Sequence, residues 1–177
     1  MSREMIAACQ SKIEEVAHAE VASSASQSYR SVPFVELRNI LPSHIDIISP
    51  FVDQLIRFIS RFREPGENTF DIELALREAL ANAIVHGNQQ DIRKSVYVKC
   101  RCTADGEVSI TVKDEGTGFE NDVVPDPTSP DNLLLTHGRG IYLLKTLMDE
   151  VHFEQGGSVV HMRKRANTSS DATRKPQ

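Results

Sequence analysis

The chain has 177 residues, 40% of them apolar and 25% charged, with a formal charge of −5. That is enough for one domain with a buried core and an ordinary globular composition. The acidic balance argues against direct nucleic-acid binding, no Lys/Arg run marks a membrane surface, and no apolar run could cross a bilayer. With an odd three cysteines, a reducing cytoplasm is the expected home.

The amino-terminal MSREMIAACQSKIEE interrupts its apolar residues with charges, unlike a secretory leader. Residues 1–32 read as an extension, partly helical over Met5 to Val21 and otherwise a linker through SSASQSYRS. The domain proper is expected over residues 33–165. Pro33 to Leu41 alternates, with Val35 and Leu37 on one side and Glu36 and Arg38 on the other, which predicts a strand. Ser49 and Pro50 suit the cap and first position of a helix running to about Phe62, with Val52, Leu55, Ile56 and Ile59 on its apolar face.

Next comes ELALREALANAIVHG (Glu73 to Gly87), free of interior Gly or Pro and predicted to be one uninterrupted helix. Ile72, Leu76, Ala79, Leu80 and Ala83 recur at steps of three and four, giving one apolar face. Glu78, Asn82 and His86 repeat at steps of four on another face, stacking a carboxylate, an amide and an imidazole. Gly87 and Asn88 supply the stop. A solvated polar stripe explains the same three residues, and the balance turns on two glycine motifs further along.

Ser95 to Thr103 and Glu107 to Asp114 read as a hairpin about Ala104-Asp105-Gly106. Cys100 and Cys102 share one strand face as small core residues. With Cys9 they are odd in number and lack zinc-ligand spacing. From Gly116 to Gly138 the chain shows no periodicity and carries three prolines, which predicts a functional lid or an insert. A short helix from Ile141 to Glu150 follows, then a last hairpin about Gly156-Gly157. The tail, residues 166–177, reads as frayed.

The first glycine motif is Asp114-Glu115-Gly116-Thr117-Gly118-Phe119, where a strand end can hold a carboxylate against a ligand while the backbone approaches closely. It lacks the third glycine and immediate helix of a dinucleotide fingerprint. The second is Gly138-Arg139-Gly140 before a helix. Free backbone N–H groups and the positive dipole end suit phosphate oxygens there, and Arg139 can add charge-assisted bonds.

Taken in order, ExxxNxxxHG on a helix, DxGxGF after a strand, a long lid, and GRG at a helix resemble the N, G1 and G2 boxes of the ATPase fold of histidine kinases and gyrase. The compact size, the DPT in the lid and GRGIYLLKTLMDEV resemble one branch, the bacterial anti-sigma factors that are serine-protein kinases (the RsbW type). The resemblance spans about Phe34 to Lys164. It implies an α/β two-layer sandwich, with a mixed, mostly antiparallel sheet and helices on one face.

The resemblance also implies roles. Asn82 coordinates Mg²⁺, Glu78 is the general base, and Asp114 accepts a hydrogen bond from the adenine amino group, which favours ATP over GTP. Gly116 and Gly118 admit the base and hinge the lid; Gly138 and Gly140, with Arg139, wrap the phosphates. Ser158 supports the adenine pocket through water, and His86 extends the first box. The implied reaction is transfer of the ATP γ-phosphoryl to a Ser or Thr hydroxyl of a STAS-type anti-anti-sigma protein, which controls the hold on a sigma factor; related kinases also form homodimers. The competing expectation is a module that holds ATP or ADP and sequesters a partner without phosphotransfer.

Overall fold

The computed structural model describes residues 14–18, 33–63, 69–118 and 136–166, with backbone alone for 14–18 and 136–139. Its strands are β1 (Glu14–His18), β2 (Phe34–Pro42), β3 (Ser95–Thr103), β4 (Val108–Lys113), β5 (Glu150–Glu154) and β6 (Val159–Lys164). They form one sheet in the order β1-β2-β3-β4-β6-β5. Every pairing among the described strands is antiparallel, with none of the parallel pairing that a mixed sheet would show. The reason lies in the helical excursion between β2 and β3. It leaves and returns at the same sheet end, where Pro42 faces Ser95 and the Ser43 amide donates to the Lys94 carbonyl at 3.2 Å, so β3 must run back along β2.

That excursion holds α1 (Ile48–Ile59) and α2 (Phe70–Ala81), which continues as a π-helical stretch over Asn82–Gly87. A third helix, α3 (Thr136–Leu147), precedes β5. Alternation in the strands puts Leu37, Leu41, Val98, Cys100, Cys102, Ile110, Val112 and Met162 on one sheet face. There they form a single core with Val52, Leu55 and Ile59 of α1, Ile72, Leu76 and Leu80 of α2, and Leu144 of α3. Helices thus cover one face, while Arg38, Lys99, Arg101 and Lys113 remain exposed on the strands. No described helix is long and apolar enough to cross a membrane.

Polar ties fix the helices to one another. Arg77 on α2 donates to Glu73 on its own helix and to Asp53 and Ser49 on α1. Lys164 on β6 reaches Asp71 at 3.0 Å and the Leu147 carbonyl at 2.7 Å, joining the start of α2 to the end of α3.

Three local expectations are corrected. Ser49 does not cap α1, because a 3₁₀ turn (Ile45–Ile47) runs directly into it and puts Ser49 inside, where it accepts from Arg77. Within the expected amino-terminal helix, Glu14–His18 is a strand, since the edge of β2 offers it a complete ladder of backbone partners. Gly138, Arg139 and Gly140 lie inside α3 instead of in a loop before it. The remainder of the amino-terminal extension, the lid at 119–135 and the tail from 167 lie outside the described residues.

Candidate functional site

The polar face of α2 forms one end of the site. Glu78 and Asn82 are half-buried one turn apart, and the Asn82 amide donates to Glu78 Oε1 at 3.3 Å. Gly140 of α3 is buried against them. A Cβ at Gly140 would overlap Glu78 Oε1 and lie 3.1 Å from Asn82 Nδ2, so the absent side chain is what lets the two helices approach. This contact also accounts for GRG being helical: the glycine is packed as part of a helix–helix interface.

Beyond Asn82 the helix widens to i→i+5 bonding, a rare geometry found disproportionately at functional sites. The Asn88 amide closes it on the Ala83 carbonyl at 2.8 Å. The expected line of three polar residues is therefore interrupted after Asn82, and His86 is exposed. The wider turn ends at Gly87, directly against Asp114. A Cβ on Gly87 would fall within the Asp114 carboxylate, and one on Gly116 would strike the Gly87 carbonyl.

Asp114 forms the other end of the site. Its amide donates to the Ser158 carbonyl at 3.0 Å, and its Oδ1 accepts from the Gly116 amide at 2.7 Å. Only 7% of the residue is exposed. Burial pushes its carboxyl above the usual range, opposed by the Gly116 amide and the charge of Lys94. Gly118 has φ of 72°, and a Cβ there would sit 2.5 Å from the Gly156 carbonyl, so this turn is wedged against the β5–β6 connection. Ser158 belongs to that connection and not to the strand: it follows a 3₁₀ turn (Gln155–Gly157), and its hydroxyl donates to the Gln155 carbonyl at 3.0 Å.

The fold thus brings together Glu78, Asn82 and Gly140 at one end and Gly87, Asp114, Gly116 and Ser158 at the other, with the π-helical stretch between. Arg139 lies in α3, its side chain outside the described residues. Sequence reasoning missed the support of Asp114. Asn88, read only as a helix stop, is fully buried, and Glu115 accepts from the Ser95 amide and the Tyr97 hydroxyl. Those two bonds hold the Glu115 carboxyl below its usual range.

The raised carboxyl of Asp114 has a measurable consequence. An acid whose pKa rises on folding destabilises the fold while ionised, and the penalty vanishes once both states are protonated. Asp114→Asn should therefore match or exceed wild type in melting temperature at neutral pH, an advantage that disappears as pH falls below the ordinary carboxylate range. If the Asp114 carboxylate receives a base amino group, as the family resemblance implies, the same variant should weaken ATP binding by about 10- to 100-fold. Calorimetry showing unchanged affinity would remove Asp114 from the pocket.

No cluster of three or more His, Cys, Asp or Glu suited to a metal occurs among the described residues. A cation that takes oxygen ligands and keeps its waters needs no such cluster. With Nδ2 of Asn82 engaged by Glu78, its Oδ1 is the atom suited to one protein bond to Mg²⁺.

The model of the histidine kinase-like ATPase domain matches residues 41–164, from the end of β2 through β6, and so defines the class. An anti-sigma F factor of Clostridium perfringens is 38% identical over 117 residues, covering 63% of this chain and 82% of the relative. Proteins of the same name from Priestia megaterium and Bacillus thuringiensis are 29% and 30% identical, each covered over 80% of its length. The chain belongs to the histidine kinase-like ATPase family, on the branch that holds the anti-sigma factors.

Proposed function

We propose that this protein is a cytoplasmic serine/threonine-protein kinase and anti-sigma factor that binds ATP with Mg²⁺ between α2, the Asp114 turn and α3. It phosphorylates a STAS-type antagonist and thereby governs its own hold on a sigma factor. The observation that carries this reading is the use of a single helix for both ends of the site. Gly140 packs on Glu78 and Asn82, while Gly87, at the end of the same helix, packs on Asp114.

Held through Asn82 Oδ1, Mg²⁺ would supply positive charge to offset the negative charge of the phosphates. The chain's own residues do the rest. Asn82 offers an oxygen to the cation, and Asp114 accepts from the adenine amino group; a guanine carbonyl at that place would face the carboxylate as a second acceptor. Gly140 lets α3 approach Glu78 and Asn82 closely, so that its amino-terminal turn stands beside the two side chains. Glu78 takes the proton of the attacking Ser or Thr hydroxyl as that oxygen bonds to the γ-phosphorus and ADP departs with the bridging oxygen, and positioning supplies much of the remaining acceleration. The product carries added negative charge at the contact, which releases the antagonist.

The test is incubation of the full chain with γ-labelled ATP, Mg²⁺ and candidate STAS proteins, with mapping of the labelled residue. A label on one Ser or Thr of a STAS protein is the expected result. ATP binding without label on any candidate would contradict the kinase and leave a nucleotide-holding sequestration module.

A further inference from the structure

The residues that join the two ends of the cleft are not those that the reaction uses. Asn88 is fully buried, and its amide side chain spans two other segments. Nδ2 donates to the Ser95 carbonyl at the start of β3, at 2.9 Å, and Oδ1 accepts from the Glu115 amide at 2.8 Å. Its own backbone amide closes the π-helical stretch on Ala83. One residue therefore ties the end of the helix carrying Glu78 and Asn82 to the turn carrying Asp114.

A second set of bonds completes the loop. Glu115 accepts from the Ser95 amide at 2.9 Å and from the Tyr97 hydroxyl at 2.8 Å. Both backbone groups of Ser95 are thus engaged, one by Asn88 and the other by Glu115. Immediately after Asn88 the chain passes through Gln89 and Gln90, both with φ of 56°, a left-handed conformation that non-glycine residues adopt at a cost. A helix stop alone requires neither a buried amide nor this pair. Strain of this kind persists where its surroundings hold a turn in one place.

We propose that Asn88 is a positioning residue for base recognition: with Glu115 and Tyr97 it fixes where the Asp114 carboxylate stands relative to Glu78 and Asn82. The inference rests on the nucleotide reading above. Its readout is selectivity between ATP and GTP, because loss of folded protein lowers both affinities equally, whereas a displaced carboxylate lowers their ratio.

The experiment is calorimetric titration of the full chain with Mg²⁺-ATP and Mg²⁺-GTP, below the melting transition of each variant. Asn88→Asp is close to isosteric but sets an acceptor against the Ser95 carbonyl, and Asn88→Ala removes both bonds. Each should lower the ATP-to-GTP affinity ratio by about tenfold or more. Tyr97→Phe, at a more exposed position, removes only the outer bond of Glu115, is expected to fold, and should lower the ratio by about two- to threefold. Folded Asn88 variants with the wild-type ratio would overturn the inference and leave Asn88 a structural residue. If neither Asn88 variant folds, an unchanged ratio in Tyr97→Phe overturns it equally. Failure of the wild type to bind ATP would refute the nucleotide reading itself, before any variant is compared.

Discussion

Glu78→Gln should leave ATP affinity within about threefold of wild type while lowering phosphotransfer by about 10²- to 10⁴-fold, the usual contribution of a general base. The substitution keeps size and shape, and glutamine Oε1 can still accept from the Asn82 amide, now at 3.3 Å from Glu78 Oε1. What it removes is the capacity to take a proton. Stability should change by less than about 1 kcal/mol, because glutamine matches the packing against Gly140, keeps the bond from Asn82, and Glu78 forms no ion pair among the described residues. Single-turnover transfer from labelled ATP, measured beside calorimetric affinity, separates the two effects. A variant that transfers at the wild-type rate would show that Glu78 is not the base. A variant that loses ATP binding as well would place Glu78 in nucleotide contact.

Gly87→Ala should be the more damaging change to the site as a whole. The added Cβ would occupy the position of the Asp114 carboxylate, and Gly87 has no positive φ, so the effect is steric and not conformational. The carboxylate cannot rotate away freely, because Oδ1 accepts from the Gly116 amide and Gly116 itself abuts the Gly87 carbonyl. Either the turn moves off the helix end or the helix end moves off the turn. Overpacking of this kind costs about 1–3 kcal/mol. ATP affinity should fall by at least about tenfold, since the displaced group is the one proposed to read the base. Thermal unfolding and titration on the same preparation check both. Wild-type affinity in Gly87→Ala would mean that the Asp114 turn tolerates displacement and does not define the pocket.

Much of the fold was legible because burial on a regular element leaves a period. Ile72, Leu76, Ala79, Leu80 and Ala83 were read from their spacing, and all are buried in the core. Cys100 and Cys102 were read as core residues from strand alternation and are likewise fully buried. What escaped was set by contacts distant in sequence. Nothing in NAIVHG announces i→i+5 bonding, which follows from the helix end having to meet Asp114 some thirty residues on. GRG was expected before a helix because glycines usually punctuate. It is helical because Gly140 sits against Glu78 and Asn82, which no local pattern encodes. Ser49-Pro50 carried a cap signal that the preceding 3₁₀ turn overrode. Asn88 looked like a stop residue, and only its two long-range bonds distinguish it from one. The pieces of the candidate site were thus proposed from a series of boxes, while the joints between them left no local pattern.

The central claim is that α2, the Asp114 turn and Gly140 of α3 close on one Mg²⁺-ATP. Calorimetric titration of the full chain with ATP, with and without Mg²⁺, tests it most directly. One ATP per chain, bound more tightly with Mg²⁺ and more weakly in Asp114→Asn, is the predicted result. No heat of binding at millimolar ATP, with the protein folded, would contradict it.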